Sequence, residues 1–310
     1  MTTSRTFVIT VNFKGAHDTA LCLASLEKST VPVKAIVVDN TPNDPDLEEA
    51  LAPFADVRLI SASHNLGFGQ GNNLGIEWAV RQPDCEFILI LNNDATIKPD
   101  TIERMVAAMK ANPEAVIITP RIVLAENESI LSFGGGEVSW KRGSAIIPGI
   151  HGPSDSKLAM TSREVGFATG CAMLMRKEIL QALGGFDPLF FMYEEDLDLS
   201  LRAKRLGLIF YTCDALVCHT VRGSSREIGQ PLLSKWSATN PSYGFHTYHM
   251  TRGSVINARR HAKGKAWAQW VLFFPLFLLG KVLRASLELR LDALRPVISG
   301  IYDGIKIKLK

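Results

Sequence analysis

The first 120 residues repeat one arrangement: a short apolar run, a polar residue at or near its end, then a stretch with helical spacing. Phe7–Val11 (FVITV), Ala35–Val38 (AIVV), Val57–Ile60, Phe87–Leu91 (FILIL) and Val116–Ile118 read as strands. Thr19–Leu26, Gly67–Val80 and Pro99–Lys110 read as helices, the last opened by a proline where the missing N–H costs nothing. Strands alternating with helices predict an α/β chain with a doubly wound, mostly parallel sheet. Such sheets bind ligands beyond the carboxyl ends of their strands. Asn12, Asp39, Asn40 and the run Asn92-Asn93-Asp94 all fall at such ends, so a site is expected there.

The later chain is less regular. Residues 122–170 hold Gly134-Gly135-Gly136 and several turn signals, which predict short antiparallel pieces. Ala172–Met175 reads as a strand, followed by a short helix to Leu183 and the turn Gly184-Gly185-Phe186-Asp187-Pro188. Residues 194–206 (EEDLDLSLRAKRL) have helical spacing, with Asp198 and Arg202 one turn apart. Leu208–Tyr211 and Ala215–Cys218 read as two more strands. Residues 222–244 are polar and turn-rich, as in a mobile loop, and 245–262 suit a helix ending in Arg259-Arg260-His261.

The net charge of +3 hides an uneven split. From Arg252 onward, twelve Lys and Arg oppose three acids, a net of +9, which leaves −6 on residues 1–251. An acidic body with a basic tail points to an anionic partner for the tail. Within that tail, Ala266–Gly280 runs fifteen residues without a charge. A membrane-spanning helix needs about 20 apolar residues, and Pro275 is expected to interrupt this one. Basic flanks with Trp267 and Trp270 near one end suit a segment lying in the interface of an anionic membrane. Packing against protein, including a homodimer contact, is the alternative. The Trp, Phe and Leu content suits lipid better than nucleic acid. The N-terminus has no basic n-region, apolar core or cleavage site, so no secretory signal is expected. Five scattered cysteines without a CxxC pair are expected to be free, buried thiols in a reducing cytosol.

Four constellations are candidates for chemistry, and each has a plain structural alternative. Asn65-Leu-Gly67-Phe-Gly69-Gln-Gly71-Asn72 can bring backbone to a phosphate at a helix N-terminus, or simply make a tight turn. Its GxGxG spacing after the third strand does not fit a dinucleotide-binding Rossmann motif, which disfavours an oxidoreductase. Asp94 can reach a divalent metal that also binds a diphosphate, or serve as a turn residue. Glu194-Glu195-Asp196 can supply a general base, or place negative charge at a helix start. His219 can be a neutral imidazole ligand, or a satisfied structural histidine.

Taken in order, VNFKG at 11–15, VVDN at 37–40, HNLGFGQGNNLGI at 64–76, LNND at 91–94, GGFDPLFFMYEEDLDLSLRAKRLG at 184–207 and VCHTVRGSS at 217–225 resemble the inverting family-2 glycosyltransferases. The likeness covers about residues 6–260 and is greatest to bacterial rhamnosyltransferases, with galactofuranosyltransferases nearby. The resemblance implies a GT-A fold and a dTDP- or UDP-linked sugar donor. It also implies a divalent cation, Mn²⁺ or Mg²⁺, and inversion at the anomeric carbon. It places Val11, Asn12, Asp39 and Asn40 around the base and ribose, and Asn65, Gly67, Gly71 and Asn72 near the nucleotide and its phosphates. Asn92-Asn93-Asp94 stands at the family's DxD position with asparagine first, which makes Asp94 the main carboxylate ligand. His219 falls at the metal-binding histidine and Asp196 at the catalytic base, beside Glu195. Thr169, Gly170, Phe191 and Tyr193 would border the acceptor, with Arg222 reaching the diphosphate.

The expected organisation is a catalytic unit at 1–221, with a nucleotide half to about 121 and an acceptor half to 221. The 222–244 loop and a membrane-associating helical region at 245–310 follow. The expected role is transfer of a sugar, rhamnose by branch, to a lipid-linked or polysaccharide acceptor at the inner face of the plasma membrane. An inactive nucleotide-sugar-binding partner subunit, or a galactofuranosyltransferase, is the competing expectation.

Overall fold

The computed structural model describes residues 5–41, 44–221, 242–287 and 294–309. Strand β1 (Arg5–Asn12) leads through helix α1 (Ala16–Leu26) to β2 (Val33–Asp39). Helix α2 (Pro45–Leu51), β3 (Val57–Ser61), α3 (Gly67–Ala79) and β4 (Cys85–Leu91) complete the first half of the sheet. β1 pairs in parallel with both β2 and β4, and β2 with β3, giving the order β3-β2-β1-β4. The strand order reverses between β1 and β4, so their carboxyl ends flank a crevice.

Period-two alternation decides which side chains face which layer. Val8, Val37 and Leu89 pack under α1, α2 and helix α4 (Thr101–Ala111). Their neighbours Ile9, Ile36 and Ile88 pack on the opposite face under α3, helix α5 (Lys177–Leu183) and helix α6 (Glu195–Ala203). Both faces are covered, which is why these strands read as unbroken apolar runs.

Beyond β4 the sheet becomes mixed. Short β5 (Ala95–Ile97) follows the site turn, and β6 (Ala115–Leu124), β7 (Asn127–Phe133), β8 (Glu137–Ser139), β9 (Ser144–Ile146) and β10 (Arg163–Val165) come next. β8 and β9 form a separate hairpin. β11 (Ala172–Arg176) inserts antiparallel between β4 and β6, and β12 (Leu208–His219) runs parallel to β6. The α/β, mostly parallel architecture holds: six of the eight strands on the main path share a direction. β12 is one strand where the sequence reads as two; its pairing with β6 shifts between Thr212 and Leu216 without breaking it. A bulge of this kind hides strand continuity from pattern reading. α2 and β5 have no counterpart among the expected elements.

Three helices follow. Helix α7 (Tyr243–His261) packs on helix α9 (Leu294–Lys306), where Gly300 and Gly304 let the backbones approach: a Cβ on Gly300 would lie 2.8 Å from the Tyr248 carbonyl oxygen. Helix α8 (Lys265–Leu287) is continuous through Pro275, against the expected interruption. The proline is exposed, so the carbonyl it leaves unpaired one turn back, on exposed Val271, faces solvent. α8 is anchored through its first half. Trp270 stacks between Trp267 and Phe274, at 5.2 and 5.0 Å, and Trp270 and Phe274 lie against Gly143 of the β8–β9 turn. Val271, Leu272, Leu276, Leu279 and Leu283 on α8 are exposed, as are Ile298, Tyr302 and Ile305 on α9. No helix among the described residues is long and apolar enough to cross a membrane.

All five cysteines are buried and free. Burial pushes the Cys22 and Cys85 thiols up to about 12 and Cys218 to about 11, so they stay protonated and inert.

Candidate active site

The crevice between β1 and β4 is lined by polar side chains that the protein itself holds in place. Asn12 is fully buried, and its carbonyl oxygen accepts from the Thr19 hydroxyl (3.0 Å) and the Gly15 N–H (3.2 Å) while its amide donates to Asp44 (3.2 Å). Asp39 accepts from the Thr41 N–H at 2.9 Å. Asn40 donates to Asn65 Oδ1 and to the Gly67 carbonyl, each at 3.1 Å, and accepts from the Leu66 N–H. Asn93 donates to the Thr19 hydroxyl at 3.1 Å. These side chains set the strand-end loops against one another, with Thr19 as a shared partner that motif reading passed over.

The glycine-rich entry to α3 has two distinct local causes. Gly67 has φ +78°, a left-handed conformation that glycine adopts freely, and any Cβ there would collide with the Phe191 carbonyl oxygen. That same carbonyl accepts from the Phe68 N–H at 3.0 Å, so the helix start is docked on the 190–194 turn. Gly71 instead lets α3 approach Val11, whose Cγ1 lies 3.0 Å from where a Cβ would stand. Asn72 donates to the Phe68 carbonyl, and its own buried carbonyl oxygen has no hydrogen-bond partner among the described residues.

Asp94 and His219, 125 residues apart, come together because β5 pairs antiparallel with β12, aligning Ala95 with His219. Asp94 Oδ1 and His219 Nε2 are 3.0 Å apart, the Thr220 N–H donates to the Asp94 carbonyl, and Asn92 lies 3.4 Å from the same imidazole nitrogen. Burial opposes charge on His219, but the Asp94 carboxylate prevails and raises the imidazole pKa well above its usual value.

The carboxylate of Asp196 is fixed on both oxygens: Oδ2 accepts from the Gly170 N–H at 3.0 Å and Oδ1 from the Leu197 N–H at 2.9 Å. Gly170 sits just before β11, whose register sets Ala172 opposite Leu91, and the Asn92 N–H donates to the Cys171 carbonyl. Asp196 is thereby tied to the segment bearing Asp94. Thr169 caps this turn by accepting from the Cys171 N–H at 3.4 Å. Glu195 is buried beside Gly69. Tyr193 and Glu194 have φ of 65° and 70°, strained values for residues with side chains, costing of order 1–3 kcal/mol each.

The surroundings that hold this strain come largely from α7. Asn257 donates to the Glu194 carbonyl (3.0 Å), and Gly253 leaves room for the Glu194 side chain. Arg252 donates to the Leu189 carbonyl at 2.6 Å. Fully buried Asp198 receives Arg202 at 2.7 Å and Arg260 and His261 at 2.8 Å each. Burial pushes the Asp198 pKa up, but these partners overcome it and hold the carboxyl down at about 2. The sequence spacing pointed to Arg202; nothing local pointed to Arg260 and His261, 62 and 63 residues away. Arg222 and most of the 222–244 loop lie outside the described residues.

A sheet with a reversal crevice, a glycine-opened helix beside it, an Asp–His pair and a fixed carboxylate define a GT-A-type sugar-transferase architecture. The chain matches the family Glycosyl transferase family 2 over residues 7–184 and belongs to it. It is 24% identical over 96% of its length, and 90% of the relative's, to the low-salt glycan biosynthesis hexosyltransferase Agl10 of Haloferax volcanii. It is 27% identical to the N-acetylglucosaminyl-diphospho-decaprenol L-rhamnosyltransferase of Mycobacterium tuberculosis, over 68% of this chain and 75% of the relative. Among solved structures it resembles GalNAc-T7 with UDP, GalNAc and Mn²⁺, with a TM-score of 0.61 and 16% identity over 83% of this chain and about half (48%) of that one. The chain is a family-2 glycosyltransferase with the expected GT-A fold.

Proposed function

We propose that the chain transfers a hexose, specifically rhamnose, from a dTDP- or UDP-linked donor to a hydroxyl of a lipid-linked or polysaccharide acceptor, with inversion. The observation that carries this reading is the β11 register, which ties the fixed carboxylate of Asp196 to the segment holding Asp94 and His219. Rhamnose rests on the relatives' names at low identity.

Asp196 serves as the base. Its two backbone donors hold it oriented, so it can take the acceptor's proton as the hydroxyl oxygen attacks the anomeric carbon. Glu195 stands beside it at the same helix start. Asp94 and His219 are a carboxylate and an imidazole within ligand distance of one another, and they fit a divalent cation, Mn²⁺ or Mg²⁺. Among the described residues no cluster of three such ligands exists, so Asp94 and His219 are the side chains that would hold such a cation. Such a cation supplies charge neutralisation to the leaving diphosphate. The α3 N-terminus, with Asn65, Gly67, Gly71 and Asn72, offers oriented dipoles to the same phosphates. Val11, Asn12, Asp39, Asn40, Asn92 and Asn93 shape the nucleotide side, and Thr169, Gly170, Phe191 and Tyr193 the acceptor side. Arg222 is assigned to the diphosphate by motif alone.

The exposed apolar faces of α8 and α9, rimmed by exposed Lys263, Lys265, Arg295, Lys306 and Lys308, favour peripheral attachment to an anionic membrane surface at its cytoplasmic face. A homodimer through the same faces is the competing arrangement. The deciding experiment offers dTDP-rhamnose and UDP-sugars with Mn²⁺ and follows nucleoside diphosphate release and glycoside formation by mass spectrometry. Asp196→Asn is expected to cut transfer about 10³-fold while nucleotide still binds. Unchanged transfer in that variant removes Asp196 from the base role, and absence of nucleotide binding in the parent chain removes the reading altogether.

A further inference from the structure

The turn that carries the base, with Phe191 and Tyr193, is faced by rings of α7 that neither the motifs nor the donor site uses. Phe191 and Tyr193 project from the turn, and Phe245, His246 and His249 from the first two turns of α7. Phe245 and His249 have centroids 4.4 Å apart, and Phe191 lies 5.5 Å from His249 and 6.1 Å from Phe245. Tyr193 lies 4.9 Å from His246. Phe245 is 42% exposed, the most open ring of the set. The rings are continuous with the base turn, because Gly253, one helical turn beyond His249, touches Glu194 and Asn257 holds its carbonyl.

We propose that Phe245, His246 and His249 complete an acceptor subsite that stacks the apolar face of a sugar ring beside Asp196. This rests on the transfer reading above and deepens it by naming a carbohydrate ring, rather than the lipid tail, as what the α7 shelf holds. Sugar sites need ring faces for the C–H surface and a few uncharged donors and acceptors for the hydroxyls. Imidazoles set among phenyl rings meet that need, because an imidazole in its neutral form offers one donor and one acceptor. Burial, with Arg252 and His246 nearby, lowers the His249 pKa to about 4, so it is neutral at pH 7. A lipid tail would gain nothing from the two imidazoles.

The test is saturation-transfer NMR on the full chain with UDP and dTDP present. The probes are methyl α-L-rhamnopyranoside, methyl N-acetyl-β-D-glucosaminide and methyl β-D-galactofuranoside, with octyl N-acetyl-β-D-glucosaminide as the lipid control. Ring C–H protons of at least one methyl glycoside are expected to saturate, and Phe245→Ala and His249→Gln each to weaken that signal about fivefold. Nucleotide saturation and the melting temperature of Phe245→Ala are expected to match the parent. Silent ring protons with all three methyl glycosides, an unchanged signal in both variants, or saturation confined to the octyl chain each overturn the subsite. A chain that saturates a glycoside but binds no nucleotide keeps the subsite and loses the transfer reading.

Discussion

The nucleotide side and the α7 side of the site are held rigid by different means. On the β1–β4 side, short polar side chains bond one another across neighbouring loops: Asn12 with Thr19, Asn40 with Asn65, Asn93 with Thr19. Each of these bonds joins uncharged groups, and Thr19 serves two of them. On the other side, a strained turn at Tyr193–Glu194 is kept in place by a helix from far along the chain, gripping it through one buried carboxylate and several charged donors. The first arrangement distributes the work of positioning over many bonds worth about 1 kcal/mol each. The second concentrates it in a hub that fails as a unit.

The largest effect should come from that hub. Asp198→Asn leaves Arg202, Arg260 and His261 around an uncharged group, and breaking a buried pair typically costs about 3–5 kcal/mol. The hub also predicts a pH dependence with a definite sign. The Asp198 pKa falls from 3.8 to about 2 on folding, so its stabilisation is complete above pH 4 and is lost as pH falls toward 2. That linkage amounts to about 2 kcal/mol. Denaturant titrations at pH 7, 4 and 2 should show this slope in the parent chain and lose its Asp198 share in Asp198→Asn. A parent chain whose stability is flat over that range would place the hub among ordinary surface pairs.

Gly67→Ala comes next, and it probes the junction between the two sides. The new Cβ must accept φ +78° and displace the Phe191 carbonyl that receives the Phe68 N–H. Overpacking with backbone strain costs about 1–3 kcal/mol, and the shift should reach the 190–194 turn. Loss of stability together with a rise in donor KM is the expected result. Gly71→Ala presses only on Val11, a side chain able to shift by tenths of an ångström, so a milder loss of under about 1.5 kcal/mol is expected. Equal losses for the two variants would mean that Gly67 has no special link to the acceptor turn.

What could be read from the sequence follows the same division. The strand-end residues Asn12, Asp39, Asn40 and Asn92–Asp94 were placed by apolar runs a few residues long, because the signal and the structure it specifies are both local. The pairing of Asp94 with His219 came from motif order alone; its physical cause, the short antiparallel β5 against β12, is three residues long and leaves no pattern. Pro275 misled for a related reason: a helix proline is tolerated where the freed carbonyl faces outward, and facing is a tertiary fact. The +9 assigned to a membrane tail was only partly available to it. Arg252 and Arg260 donate to Leu189 and to Asp187 and Asp198 of the 1–221 stretch, and Arg259 to Gly304 and Ile307 within the tail itself. Charge counting cannot separate a buried arginine from a surface one.

The smallest stability effect should come from the face that neither side of the site uses. Ile298, Tyr302 and Ile305 lie on one stripe of α9, each more than half exposed, opposite the glycines that meet α7. An Ile298→Glu/Ile305→Glu double variant removes little buried contact, so a change within about 0.5 kcal/mol is expected. Its effect should appear instead in flotation with vesicles containing phosphatidylglycerol, where the parent chain rises and the variant stays behind. Added salt should weaken the parent's flotation, because part of the attraction comes from Lys306, Lys308 and Arg295 at the rim. Sedimentation of both proteins without lipid separates the competing occupant: a parent dimer that the double variant turns into a monomer assigns the stripe to a second copy of the chain. Equal flotation of parent and variant would take α9 out of the membrane contact and leave α8 to carry it alone.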